Sequence, residues 1–339
     1  MDTARILIGK LAARLEKLYP IQARSLTVPL STIGLLTSSY IAYSTTSFLW
    51  QYLRPSSLLR YQHKKPFTTW ALVTGASDGI GLGFAEALLS KGFNVILHGR
   101  NAEKIAGVKA RLEAQYPSGQ VLTVIADATS PDADIASIVS TVRSLPGPLT
   151  ILINNVGGIP VGEKYESLDD AEVSTVDGLI NVNLRFPTQL TKALIPILQE
   201  NEPSLVMNIG SATGQLGMPY LCVYSGSKAY NLRWSQALGA EMLAQGKNVE
   251  VLGILVGNVM SGTNKIGADF FTCDSRTMAE AALARVGCGK SSVWGYWKHH
   301  LLFQTLEALP ERMRLGQGIK LMNARKKAHL EIEAMAKGE

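Results

Sequence analysis

The sequence predicts an α/β fold, a doubly wound parallel sheet with helices on both faces, preceded by an N-terminal hydrophobic helix. Three observations carry this expectation. From Pro66 onward, short apolar stretches alternate with longer helical ones. A glycine-rich turn follows the first apolar stretch, and no charged side chain interrupts residues 25–53.

The apolar stretches are Trp70–Val73, Asn94–Leu97, Val121–Ala126, Thr150–Ile153, Leu205–Ile209, Val249–Leu255 and Ser292–Tyr296. Each has strand length and is apolar almost throughout. Strands buried on both faces read this way, because a parallel sheet is covered by helices above and below. The intervening segments include Ile80–Lys91, Ala102–Tyr116 and Tyr224–Gln245, which have helical character. Ligands of such a fold bind at the carboxyl ends of the strands.

The chain has 339 residues, 46% hydrophobic and 18% charged, enough for one large α/β domain of ~250 residues with flanking segments. The expected organisation is a basic amphipathic helix over 1–24, an anchor helix over 25–53, a catalytic domain over 66–300 and a basic helical extension over 301–339. The net charge of +6 comes largely from the two ends. No zinc-ligand spacing, RNA-binding aromatic motif or helix-turn-helix pattern accompanies it, so a nucleic-acid partner is not expected. No metal site is expected either. Cys222, Cys273 and Cys288 have no CxxC spacing and read as reduced thiols.

Within the uncharged stretch, Val28 to Trp50 spans 23 residues, long enough as a helix to cross a hydrocarbon layer of ~30 Å. Tyr40, Tyr43, Trp50 and Tyr52 suit membrane–water interfaces. Ser38, Ser39, Ser44, Thr45, Thr46 and Ser47 dilute its apolarity, so a helix lying in the interface is the competing reading. Upstream, Arg5, Lys10, Arg14 and Lys17 interleave with leucines, a pattern that favours an anionic membrane surface.

The first strand runs into Thr74-Gly75-Ala76-Ser77-Asp78-Gly79-Ile80-Gly81. Glycines here let the backbone turn tightly and approach a pyrophosphate, which sits against the N-terminus of the next helix. Gly75, Ser77, Asp78, Gly79, Ile80 and Gly81 are therefore candidate cofactor residues in a Rossmann arrangement. The second strand ends in Arg100 rather than an acidic residue. An acid would serve a ribose 2′-hydroxyl, whereas an arginine pairs with a 2′-phosphate, which favours NADPH. Asp127, after the third strand, either accepts from an adenine amino group or caps its own strand end. Asn155, in Asn154-Asn155-Val156-Gly157, either lines the crevice or belongs to an ordinary turn.

The chemistry is carried by Tyr224 and Lys228, one helical turn apart, with Ser211 thirteen residues before the tyrosine at a strand end. A nearby ammonium is expected to lower the phenol pKa, so that Tyr224 donates a proton to a carbonyl oxygen. Ser211 is placed to hold the same oxygen. Asn183 is a candidate to hold a water that relays protons to Lys228. Tyr224 and Lys228 are also expected to touch the cofactor.

The set Gly75/Gly79/Gly81, Asn154–Gly157, Asn183, Ser211 and Tyr224/Lys228 resembles the short-chain dehydrogenase/reductase pattern over residues 68–265. TGASDGIG and NNVG further resemble the very-long-chain 3-oxoacyl-CoA reductase and 17β-hydroxysteroid dehydrogenase branch. The resemblance implies catalytic roles for Asn183, Ser211, Tyr224 and Lys228. It also implies NADPH, an acyl-CoA or other hydrophobic substrate, and an endoplasmic reticulum membrane with the catalytic domain facing the cytosol. A homodimer is common in such folds. After the sixth strand the family's Pro-Gly is Val256-Gly257 here, followed by Asn258, Val259, Met260 and Ser261. Val259 is the residue of this cover loop expected to meet the cofactor. Two alternatives stand beside a lipid carbonyl reductase: a diverged ketoreductase of specialised metabolism, and a cofactor-binding scaffold without turnover.

Overall fold

In a computed structural model, residues 6, 8–14, 22–63, 65–158, 165–261 and 269–337 are described. The chain divides into two units, residues 1–54 and 55–339.

The first unit contains helix α1, Gln22–Leu53. Residues 8–14 are also helical, and the rest of the expected 1–24 helix lies largely outside the described residues. Helix α1 covers the uncharged stretch, but it is not the expected membrane span. Among the described residues no helix is both long and apolar enough to cross a membrane. The reason is compositional: hydroxyls recur through the helix, and Thr32 Oγ1 donates back to the Val28 carbonyl at 2.9 Å. Large apolar side chains, including Leu30, Ile33, Leu35, Leu36, Ile41 and Trp50, are nevertheless exposed along it.

The second unit is built on a seven-stranded sheet. Its early elements are β1 Trp70–Thr74, α2 Gly79–Ser90, β2 Asn94–Gly99, α3 Ala102–Gln115, β3 Val121–Ile125, α4 Ile135–Arg143 and β4 Leu149–Asn154. Helix α5, Val173–Ile180, then runs through a π-helical turn, Asn181–Arg185, into α6, Phe186–Glu200. After these come β5 Ser204–Ile209, α7 Cys222–Ala244 and β6 Val249–Leu255. A small pair, β7 Val259–Met260 and β8 Cys273–Asp274, precedes α8 Ser275–Leu283. Strand β9, Ser292–Trp294, is followed by α9 Trp297–Glu307 and α10 Glu311–Lys337.

The sheet order is β3-β2-β1-β4-β5-β6-β9, and adjacent strands run parallel. Alternation explains the near-continuous apolar strands. Ala71 and Val73 pack with Phe84 and Leu88 of α2, while Trp70 and Leu72 pack with Leu190 and Leu194 of α6. Helices thus cover both faces. The strand order reverses between β1 and β4, which opens a crevice beyond their carboxyl ends.

Element edges differ from the sequence expectation in small ways. Strand β3 stops at Ile125, β9 stops at Trp294, and α7 begins at Cys222, two residues before Tyr224. The β7/β8 pair is only two residues per strand, too short to leave a periodic signal.

Candidate active site

The crevice at the β1/β4 switch point is a cavity of about 1140 Å³. One end is made by the turn after β1. Gly75 (φ +66°) and Gly79 (φ +59°) take the left-handed conformation that glycine tolerates. A Cβ on Gly81 would lie 2.2 Å from the Gly75 carbonyl oxygen and 2.6 Å from Asn155 Nδ2. Asp78 caps α2, its carboxylate accepting from the Gly79 N–H at 2.6 Å.

Asn155 braces this turn from β4. Its Nδ2 donates to the Thr74 and Gly75 carbonyls at 3.0 and 3.3 Å. Thr74, which the sequence reading did not single out, is the hub of the joint. Its hydroxyl donates to the Ile153 carbonyl at 3.1 Å and accepts from the N–H groups of Asn155 and Val156 at 2.9 and 3.0 Å. The neighbouring Asn154 is turned inward, donating to Asn208 Oδ1 and Thr191 Oγ1, each at 2.8 Å.

Gly75, Ser77, Asp78, Gly79, Ile80, Arg100, Asp127, Asn155 and Val259 all line the cavity. Gly81 does not appear in that lining; its place is the tight packing under the turn. Asp127 Oδ1 accepts from the Thr129 N–H and hydroxyl at 2.9 and 2.7 Å. Burial raises the Asp127 pKa, but those two bonds, then Arg100 and His98, outweigh it and hold the carboxyl below its usual range. The strand-end cap is therefore real, and it sits on the cavity wall. His98, also on the wall, receives the Gly75 N–H at 3.4 Å and stacks on Phe186 with centroids 4.9 Å apart. Burial pushes its pKa down to about 4, so the imidazole is neutral and its Nδ1 is free to accept.

At the other end lie Ser211, Tyr224 and Lys228. Ser211 follows β5 and caps a short 3₁₀ turn, Ala212–Gly214. Its Oγ accepts from the Thr213 N–H and hydroxyl at 3.3 and 3.0 Å, so Thr213 orients it. The signal for Thr213 was in the sequence: hydroxyl residues two apart at a strand end commonly form such turns. The Ser211 hydroxyl is also hydrogen-bonded to Tyr224.

Lys228 is buried on α7, its Nζ donating to the Ile209 carbonyl at 3.0 Å and lying 5.7 Å from the Tyr224 ring centroid. Burial pushes its pKa down to about 8. Burial also raises the phenol pKa of Tyr224, and the Ser211 hydrogen bond offsets only part of that. The expected lowering of the tyrosine by its lysine is thus corrected. Both groups are desolvated, so the neutral phenol is the favoured form in the chain alone.

Asn183 is fully buried in the π-helical turn. Its Nδ2 donates to the Leu179 and Gly158 carbonyls at 3.1 and 3.2 Å, and its Oδ1 accepts from the Gly158 N–H at 3.2 Å. The side chain is spent on the loop after β4. A Cβ on Gly157 would fall 2.6 Å from Asn183 Oδ1 and 3.2 Å from Lys228 Nζ. Asn183 and Lys228 therefore converge on one glycine, and a side chain there would close the gap between them.

A short-chain dehydrogenase family model matches residues 69–268. The chain belongs to that family. It is 33% identical to a Neurospora crassa very-long-chain 3-oxoacyl-CoA reductase over 288 residues, 81% of this chain and 82% of the relative. An Aspergillus clavatus protein of the same name is 31% identical over 333 residues, 94% and 93% of the two chains. This dehydrogenase is therefore an oxidoreductase of that branch. Among solved structures, a 7β-hydroxysteroid dehydrogenase shares the fold with a TM-score of 0.66 at 20% identity, covering 76% of this chain and 98% of its own. A Burkholderia cenocepacia short-chain dehydrogenase in complex with NADP has a TM-score of 0.58 at 25% identity, covering 67% and 96%.

The Lys228 environment makes a measurable prediction. Its folded pKa of about 8 lies below the ordinary 10.5, so the buried cation costs stability at pH 7, on the order of 3 kcal/mol. Lys228→Met is expected to raise the urea midpoint of the cofactor-free protein at pH 7. The wild type gains stability as pH rises from about 8 towards 10.5, so the gap should narrow over that window. An unchanged midpoint, or a gap that widens with pH, would sink the assignment.

Proposed function

We propose that the protein is an NADPH-dependent reductase of the carbonyl of a hydrophobic acyl chain, with a long-chain 3-oxoacyl-CoA as the substrate class. The observation that carries this reading is the meeting of Ser211, Tyr224 and Lys228 at one end of a crevice whose other end is a glycine turn with Arg100 beside it. The cavity residues suit a dinucleotide. The turn has no side chain at Gly75 or Gly79 to block a pyrophosphate, the α2 N-terminus favours its charge, and Arg100 on the same cavity wall is a cation that would suit a 2′-phosphate. The names of the relatives supply the substrate class.

Bound NADPH supplies a hydride to the carbonyl carbon. Ser211, oriented by Thr213, donates a hydrogen bond to the carbonyl oxygen and fixes its position. Tyr224 gives its proton to that oxygen as the C=O π pair becomes an O–H bond. The raised phenol pKa keeps that proton in place at neutral pH until charge develops on the oxygen. Lys228, with a pKa of about 8, then returns a proton to the tyrosinate. Asn183 holds the loop at Gly157 and Gly158 against the lysine, which keeps the relay path in register.

The test is oxidation of NADPH by the purified protein in the presence of a long-chain 3-oxoacyl-CoA, with steroid ketones as comparison. Tyr224→Phe should lower turnover by ~10²–10⁴-fold while NADPH still binds. Retained turnover would remove Tyr224 as the acid, and no turnover of the acyl-CoA by wild type would end the reading.

Cofactor choice is tested separately. Arg100→Asp should shift the ratio of kcat/KM for NADPH over NADH towards NADH by about tenfold or more, the worth of a charge-assisted bond. An unchanged ratio would take Arg100 out of the site.

We also propose that α1 rests on a membrane surface, which brings the enzyme to its lipid substrate. The exposed Leu30, Ile33, Leu35, Leu36, Ile41 and Trp50, all within the uncharged stretch 25–53 of this helix, are the motive. Wild type should float with anionic phospholipid vesicles in a density gradient, and aspartates at Leu35 and Leu36 should release it. Equal flotation of both proteins would count against this placement.

A further inference from the structure

The segment after β6 crosses the cavity. Val256 accepts from the Ala212 N–H at 2.8 Å, which ties its start beside Ser211. Its far end reaches the glycine turn, where a Cβ on Gly79 would stand 3.3 Å from Ser261 Cβ. Val256, Gly257, Val259 and Ser261 all line the cavity wall. The segment thus spans from the reacting end to the phosphate end. It lacks a proline, which would have stiffened the backbone by itself.

A residue 42 positions away supplies the stiffness. His299, on α9, is fully buried. Its Nδ1 accepts from the Gly257 N–H at 3.1 Å, and its Nε2 lies 3.0 Å from the Asn258 carbonyl oxygen. Those two bonds define the tautomer: the proton is on Nε2, which donates, and Nδ1 keeps its lone pair. Burial lowers the pKa and keeps the ring neutral, as this bonding requires. The imidazole also packs tightly against the glycine. A Cβ on Gly257 would meet His299 Cδ2 and Cγ at 2.8 and 2.9 Å.

The hold extends outward. Asn258 Oδ1 accepts from Arg325 Nη2 of α10 at 3.1 Å. Helix α10 also holds the loop before α7: the Tyr220 hydroxyl donates to Asn323 Oδ1 at 2.9 Å, and Lys326 Nζ stands 4.5 Å over the Tyr220 ring. Tyr220 has φ +62°, an unusual conformation for a tyrosine that these contacts help to maintain.

We propose that His299 is a positioning residue, which clamps the backbone of residues 257–258 over the reacting half of the cofactor, and that Arg325 makes the C-terminal helix part of the same clamp. This rests on the cofactor reading above. The consequence is directional. Loss of the clamp should weaken contacts with the nicotinamide half of NADPH and spare those with the adenosine half, which the proposed binding mode assigns to the Arg100 and Asp127 end of the cavity.

The experiment is a binding titration of full-length wild type and His299→Leu with NADPH, and in parallel with 2′,5′-ADP, which carries only the adenosine half. Loss of two backbone hydrogen bonds of ordinary strength corresponds to a roughly 5- to 150-fold rise in the NADPH Kd. The 2′,5′-ADP Kd should stay within about twofold, and His299→Gln, which retains an acceptor and a donor, should recover most of the NADPH affinity. If His299→Leu does not fold, Arg325→Ala and Asn258→Ala carry the same comparison with a smaller rise in the NADPH Kd. Wild type and variants binding NADPH alike would overturn the clamp alone. Equal weakening of both ligands would also overturn it, since a loosened fold does that. Failure of wild type to bind NADPH would overturn the clamp together with the cofactor reading, and is seen in the same titration.

Discussion

Between the carboxyl ends of β1 and β4 there is no room for a side chain at Gly75 or Gly81, and the rest of the site depends on that constraint. Gly75 and Gly81 meet backbone to backbone, Asn155 donates into the turn they form, and the Thr74 hydroxyl ties the turn to the end of β4. The joint holds the strand ends at a fixed separation while leaving the crevice open above it. Without it the glycine turn would be free to collapse into the space that a dinucleotide needs. The cost is entropic, because glycine surrenders more backbone freedom on folding than any other residue. The polar bonds of Thr74 and Asn155 offset it locally.

The reacting end follows a different economy. Lys228 is a buried cation that donates to a backbone carbonyl, and Tyr224 is a desolvated phenol. The lysine's burial costs stability because it disfavours the charged form, whereas the phenol is neutral at pH 7 in both the folded and the unfolded chain and its raised pKa costs nothing there. The value of the burial is kinetic. A phenol that resists ionisation keeps its proton until an oxygen beside it gathers negative charge. A lysine with a pKa of about 8 can give a proton up and regain it near neutral pH. The same burial that strains the folded state thereby sets the two groups to neighbouring tasks.

Much of this could be read from the sequence, because its signals are local. Alternating apolar strands, the spacing of Gly75, Gly79 and Gly81, and the one-turn separation of Tyr224 and Lys228 each lie within a few residues. What escaped depends on three-dimensional context. Proximity of Lys228 suggested a lowered tyrosine pKa, but only the depth of the site reveals that desolvation wins. Asn183 was expected to hold a relay water, yet its side-chain bonds run to Gly158 and Leu179 from a π-turn that no pattern predicts. The N-terminal stretch was uncharged and long enough for a span. Freedom from charge is not apolarity, however, and the recurrent serines and threonines leave it short of one.

The cover loop argues the same point from the other direction. The Val256–Ser261 run departs from the Pro-Gly expected at its start, and loss of a proline by itself leaves a backbone freer. A proline restricts the backbone through its own covalent ring, so its effect is visible in one letter. An imidazole restricts it through two hydrogen bonds and a packed face, from a helix that comes after two further strands. The second solution carries a property that the first lacks. A proline's restraint is indifferent to the rest of the fold, whereas the His299 restraint exists only while α9 is seated, and the Arg325 bond only while α10 is. Order at the reacting end is thereby made conditional on the C-terminal helices, which contribute no side chain to the lining of the cavity itself.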